Sequence, residues 1–208
     1  MRFLVLSDIH SNFYAFERIL KNEEFDVLLI AGDITDFRAS DVLLADKIVG
    51  KYCDCCFAVH GNCDPEEVLN FELENIEFIH AKSVKLSNYT LHGLGGSNYT
   101  PFMTPSEYSE ERIESFMENF KFSDYNILLT HCPPKGVLDK TYHGENAGSE
   151  AIRNVIDKFD LVFCGHIHEA YGIERIGKTL VVNPGPAMWG MYVLFDLDRF
   201  SAVFKSIR

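Results

Sequence analysis

Short apolar runs recur along the chain, and each stops abruptly at polar residues. Arg2 to Leu6 ends in Ser7-Asp8-Ile9-His10, and Asp26 to Ala31 ends in Gly32-Asp33. Phe57-Ala58-Val59 ends in His60-Gly61-Asn62-Cys63-Asp64, Asn126 to Thr130 ends at His131, and Leu161 to Cys164 ends in Gly165-His166-Ile167-His168. Runs that are apolar at successive positions bury both faces, which predicts strands of a parallel sheet covered on both sides. Helical spacing appears between them, at Phe13, Phe16 and Leu20, across residues 40–49, and at Ile152, Val155, Ile156 and Phe159. Thr104-Pro105-Ser106-Glu107 has the composition of a capping box with proline at the first helical position. It predicts a helix from there to about residue 120, burying Ile113, Phe116, Met117 and Phe120. Residues 76–95 read as short strands. The tail from 170 to 207 reads as antiparallel strands with turns at Gly177-Lys178 and Asn183-Pro184-Gly185-Pro186. The alternation predicts an α/β fold. With no repeat, low-complexity tract or linker, residues 1–208 are expected to form one domain.

Charge narrows the partners. The 208 residues carry 31 acidic against 19 basic side chains, a net charge of -12. That balance disfavours a polynucleotide backbone and an anionic membrane, both of which attract basic surfaces. The N-terminus has neither the pattern of a signal peptide nor that of a membrane span, so a cytoplasmic protein with reduced thiols is expected. Cys53-Asp54-Cys55-Cys56 lacks the paired spacing of a zinc site and reads as small half-buried thiols entering a strand.

The strand ends change the picture. Asp8 and His10, Asp33, Asn62 and Asp64, His131, and His166 and His168 each follow an apolar run. Sites in open α/β sheets gather at the carboxyl ends of strands. Two carboxylates, one amide oxygen and four imidazoles are more than one ion normally takes. Mixed nitrogen and oxygen donors without thiolate suit Mn, Fe, Zn, Ni or Co, with Mn the first choice. Two such ions lower the pKa of a shared water and clamp phosphoryl oxygens.

With these motifs in order (Asp8-x-His10, Gly32-Asp33-x-x-Asp36, Gly61-Asn62-Cys63-Asp64, His131 and Gly165-His166-x-His168) the sequence resembles the calcineurin-like metallophosphoesterases. The resemblance implies a four-layer α/β/β/α sandwich of two mixed sheets flanked by helices. It implies that Asp8, His10 and His168 hold one divalent ion, that Asn62, His131 and His166 hold another, and that Asp33 bridges them. A bridging hydroxide would attack phosphorus, with His131 and Asn62 neutralising charge on the phosphoryl oxygens. The substrate would be a small phosphate ester such as a nucleotide, and an oligomer is compatible. A fold retained as a binding scaffold is the alternative reading.

Two departures refine the expectation. Cys63 occupies the place where many members carry a histidine that protonates the leaving group. Small prokaryotic members with Asn-Cys-Asp tend to be phosphodiesterases or to cleave activated esters. Phe37 follows Asp36 where the protein-phosphatase branch has arginine. Asp64 is expected to orient Asn62 or to hydrogen-bond His131. His60 is expected to finish its strand. His143 is either a solvated loop residue or a substitute acid. Tyr99, Phe102 and Met103 either wall a pocket or pack against the sheet or another subunit.

Overall fold

The computed structural model describes residues 1–207. In chain order the elements are β1 (Arg2–Leu6), α1 (Phe13–Asn22), β2 (Val27–Ala31), α2 (Val42–Val49), β3 (Cys56–Val59), β4 (Glu77–Phe78), β5 (Lys82–Leu86), β6 (Tyr89–Leu94), β7 (Ser97–Asn98), β8 (Glu107–Tyr108), α3 (Glu110–Met117), β9 (Asn126–Thr130), α4 (Glu150–Asn154), β10 (Leu161–Phe163), β11 (Gly172–Ile176), β12 (Thr179–Asn183), β13 (Met191–Asp196) and β14 (Ser201–Ser206). Two six-stranded sheets result, ordered β14-β13-β1-β2-β3-β4 and β11-β12-β10-β9-β6-β5. In the first, β1 to β4 run parallel and β13 and β14 add antiparallel on one side; the second has a parallel centre with an antiparallel strand at each edge.

Strand periodicity accounts for the layers. Phe3, Val5, Val27 and Leu29 face Ile127, Leu129, Leu161 and Phe163 across the space between the sheets. Their neighbours Leu4, Leu6, Leu28 and Ile30 point the other way, against Phe16, Ile19 and Leu20 of α1 and Ile48 and Val49 of α2. On the outer side of the second sheet, Leu128, Val162 and Val181 pack against Ile113 and Met117 of α3 and Ile152 of α4. Successive side chains alternate between faces, so one run feeds two cores and must be apolar throughout. This is the four-layer sandwich with two mixed sheets.

Three local expectations are corrected. The third helix starts at Glu110, capped by Ser109, rather than at Thr104. Glu107 does reach back to the Thr104 amide (2.8 Å), but the backbone between them forms β8 and pairs with β7. Ser106 donates its amide to the Asn62 carbonyl (3.0 Å), so tertiary contact outcompetes the helix start. The helix of 150–159 is broken at Val155 into α4 and a 3-10 turn. The tail is not wholly antiparallel either, because β12 lies parallel to β10 inside the second sheet.

Candidate metal centre

The parallel strands of both sheets deliver their carboxyl ends to one place. β1 and β2 are stitched beyond their ends by the Asp8 amide on the Gly32 carbonyl (3.1 Å) and the His10 amide on the Asp33 carbonyl (2.9 Å). The sheets are joined by His131, whose Nδ1 lies 2.8 Å from the Ala31 carbonyl, and within the second sheet the Gly165 amide on the His131 carbonyl (2.9 Å) ties the ends of β9 and β10. Asp8, Asp33, Asn62 and His131 are buried, and His10, His166 and His168 are half-buried.

Glycines make the approach possible. A Cβ on Gly61 would stand 2.0 Å from Asp33 Oδ1, and one on Gly165 would stand 1.6 Å from Ser7 Oγ. Gly165 therefore answers a need for space between β1 and β10 more than a need for a turn. The backbone bears strain at the same spot: Asp8, His10, Ser11, Asp33 and His166 all have positive φ. Such conformations cost about 1–3 kcal/mol each and persist where surrounding structure holds them.

The donors fall into two groups. Asp8, His10 and His168 present ligand atoms close together, with His168 Nε2 3.3 Å from Asp8 Oδ1. Asp8, Asp33 and His131 form a second cluster. His131 Nε2 lies 2.8 Å from Asn62 Oδ1, and the His166 ring packs edge-on against His131. Asp33 Oδ2 is 3.5 Å from His10 Nε2 and 3.5 Å from His131 Nε2, so this one carboxylate oxygen faces both groups.

Several features fit a pair of cations. His10 Nε2 is buried with no hydrogen-bond partner. The Ala31 carbonyl can only accept, so His131 Nδ1 carries a proton and Nε2 is the nitrogen left for a ligand. Without a cation, Nε2 takes a proton too. Burial opposes this, but the carboxylates of Asp33 and Asp8 outweigh it and raise His131 to about 9. His168 is likewise raised: burial lowers it and Asp8 more than compensates. Burial and the charge of His131 push His166 down to about 4, leaving it a neutral donor.

The remaining candidates are placed plainly. Asp64 is fully buried and does not serve His131. Its oxygens accept from the amides of Ile34 (3.1 Å), Thr35 (2.7 Å) and Gly61 (2.8 Å), clamping the loop that carries Asp33 to the loop that carries Asn62. Burial and then Asp33 raise its pKa to about 6. Cys63 is buried beside His10 and Asp33, and its amide donates to Asp33 Oδ1 (2.8 Å). Burial and the carboxylate of Asp33 push its thiol far up, so it keeps its proton. Asp36 is exposed, 3.8 Å from His10 Nδ1. His60 is buried outside the centre, bonded to Tyr108 and packed against His80.

Four contributors escaped the reading of the chain. Thr104 Oγ1 accepts from Asn62 Nδ2 (2.9 Å), which turns the Asn62 oxygen inward, and Glu107 holds Thr104. Asn183 donates to the Ile167 carbonyl (3.1 Å) and steadies the turn between the two histidines. Trp189, the one tryptophan, meets His168 edge-on at 5.4 Å. The Thr104–Glu107 spacing was visible in sequence but pointed to a helix cap.

A groove of about 590 Å³ runs up to His166 and His168. It is lined by Asn98 to Phe102 from one segment and by Thr141 to His143 with Glu145, Asn146 and Ala147 from another. No lysine or arginine is among its lining residues. Tyr99 and Phe102 thus wall a pocket rather than pack on the sheet, and His143 lies in the same groove. Met103 is solvent-exposed and does not line it.

Fold and site together define a metal-dependent phosphoesterase with a dinuclear divalent-metal centre. The chain belongs to the calcineurin-like phosphoesterases, whose family model matches residues 1–170. It is 37% identical to MJ1162 of Methanocaldococcus jannaschii, an uncharacterised protein, over 96% of this chain and 98% of that one. The crystal structure of TT1561 from Thermus thermophilus superposes with a TM-score of 0.74 at 18% identity, covering 100% and 99% of the two chains. The NAD nucleotidase of Haemophilus influenzae gives 0.55 at 15% identity, over 99% of this chain and 49% of that one. At such identities the two structures bear on fold alone. No helix among the described residues is long and apolar enough to cross a membrane.

Proposed function

We propose that the protein is a phosphodiesterase acting on small phosphate diesters in the cytoplasm, with manganese as its preferred metal. The observation that carries the dinuclear part is the Asp33 oxygen placed 3.5 Å from both His10 Nε2 and His131 Nε2. Asp8, His10 and His168 would hold one ion, Asn62, His131 and His166 the other, and Asp33 both. When bound, two such ions acidify water and neutralise charge on the phosphoryl oxygens.

The chain's own groups set the rest. His131 is held by the Ala31 carbonyl with Nε2 facing inward, and Asn62 is held by Thr104 with its oxygen facing inward. Asp64 keeps the two loops in register. Cys63 retains its proton too tightly to replace an imidazole as acid, which favours substrates with good leaving groups. A diester carries one negative charge and a monoester close to two. With no lysine or arginine lining the groove, the second charge has no such partner beyond the ions. The net charge of -12 supports a small substrate over a polynucleotide.

The test is hydrolysis of bis-p-nitrophenyl phosphate and p-nitrophenyl phosphate with each first-row divalent metal. The expected result is faster turnover of the diester, greatest with Mn²⁺. Inactivity with every metal would remove the reading, and preference for the monoester would remove its diester part.

A further inference from the structure

The groove beside the metal centre is lined by features the phosphoryl chemistry does not use. Three of its aromatic rings stand in solvent: Tyr99 is 69%, Phe102 79% and Tyr142 80% exposed. Exposed aromatics grouped on one rim are uncommon unless something covers them. Tyr99 and Phe102 come from the 98–102 segment and Tyr142 from the 141–147 segment, and His166 and His168 line the same groove. The volume, about 590 Å³, is in the range of small-molecule sites.

Both walls are tied to the loops that carry the metal donors. On one side Glu107 accepts from the amides of Thr100 (2.9 Å) and Thr104 (2.8 Å), and Thr104 in turn orients Asn62. On the other, the Tyr142 amide donates to Glu169 (2.6 Å), the residue after His168. The backbone that carries the rings is therefore tied to the loops of the centre. The charge of the groove is also one-sided. Glu145 and Glu169 line it without a lysine or arginine, so further phosphate groups would be repelled. Thr141 Oγ1 is buried there without a hydrogen-bond partner, one polar contact left for a ligand.

Resting on the phosphodiesterase reading, we propose that the groove selects diesters with a planar aromatic arm and a single negative charge. The arm stacks between the Tyr99–Phe102 wall and Tyr142 while the phosphoryl group reaches the metal donors. A nucleoside and a simple aryl group share this chemistry. A nucleoside polyphosphate does not, because its extra charges face Glu145 and Glu169.

Calorimetric titration of the manganese-loaded protein tests this, using analogues in which a carbon replaces one ester oxygen. Adenosine 5′-methylphosphonate, phenyl methylphosphonate, methyl methylphosphonate and adenosine 5′-diphosphate are compared. The adenosine analogue is expected to bind roughly tenfold more tightly than the methyl one, the scale of one ring stacked on an aromatic side chain. The phenyl analogue falls near the adenosine analogue if the ring alone is read, and behind it if Thr141 contributes. Tyr99→Ala and Tyr142→Ala should each weaken the adenosine analogue roughly fivefold or more and leave methyl methylphosphonate unchanged. Glu145→Lys should tighten adenosine 5′-diphosphate. Equal binding of the adenosine and methyl analogues overturns the inference. So does a change of oligomeric state in the tyrosine variants without a change in binding, which would make the rings a subunit contact. If the protein hydrolyses no diester with any metal yet keeps the aromatic preference, the phosphodiesterase reading falls and the groove assignment stands.

Discussion

The metal centre and the groove beside it are built in opposite ways. Every donor of the centre follows a strand buried between helices and a second sheet, and neighbouring backbone fixes its position. The groove is lined mostly by loop residues, 99–102, 141–143 and 145–147, with their rings in solvent. The centre tolerates little movement: a methyl group added at Gly61 or Gly165 would overlap a neighbour by more than an ångström. The groove has open space that substitution can reshape. On the proposed reading, reaction type belongs to rigid strand ends and substrate choice to replaceable loops, a division by which one fold can serve many substrates.

The sharpest way to break this contrast is at Asp33. Asp33→Asn removes the charge shared by both donor groups and should lower turnover by roughly a thousandfold or more, with loss of metal measured by elemental analysis. A variant that kept both metals and most activity would show that Asp33 is not the link between the two halves. Next in size is Gly165→Ala. Crowding of this kind typically costs about 1–3 kcal/mol, here against Ser7 Oγ in a rigid layer. At about 2–4 °C per kcal/mol for a chain of this size, the melting temperature should fall by roughly 2–12 °C. The same change at Gly144, whose Cβ would meet nothing but whose φ is positive, should cost less.

Thr104→Val sharpens the comparison where the two regions join. It frees the Asn62 amide and should weaken one ion roughly 10–100-fold, while the ion at Asp8, His10 and His168 is retained. Calorimetric stoichiometry reads this directly. The pH dependence comes next. His131 has a folded-state pKa of about 9, above its ordinary 6.5, so its contribution to the metal-free protein is complete below 6.5 and disappears as pH rises through 9. Metal-free protein should therefore lose stability over that range. Metal uptake near pH 7.5 should release protons from His131, seen as a buffer-dependent binding enthalpy. The smallest effect is expected at Cys63. Cys63→Ala should change diester turnover by less than about tenfold, short of what general acid catalysis supplies, because the thiol holds its proton. Loss of all activity with metal still bound would make the thiol the acid.

Legibility followed the same division. The candidate donors are legible because each follows an apolar run, and a buried strand followed by Asp, Asn or His is a local pattern. The layers were legible because strand alternation imposes apolar residues on both faces. Asp64 stands out in the sequence but its task does not: three amides from two distant loops meet its carboxylate, and no spacing encodes that. Thr104 and Glu107 showed the right local pairing and the wrong element, since the Asn62 carbonyl claimed the Ser106 amide. Tyr99, Phe102 and His143 could be named as candidates, yet whether they faced solvent, sheet or site depended on two loops far apart in the chain.

What the chain determined by itself is therefore its set of strands and the chemistry placed at their ends, because hydrophobic periodicity and ligand type are local properties. What only the tertiary structure decided is which side of each histidine faces inward, what space each glycine leaves open and which loops share a groove. Those depend on partners such as Ala31 for His131 and Ser7 for Gly165, a hundred or more positions away in sequence, and contacts at that separation exist only once the two sheets have packed.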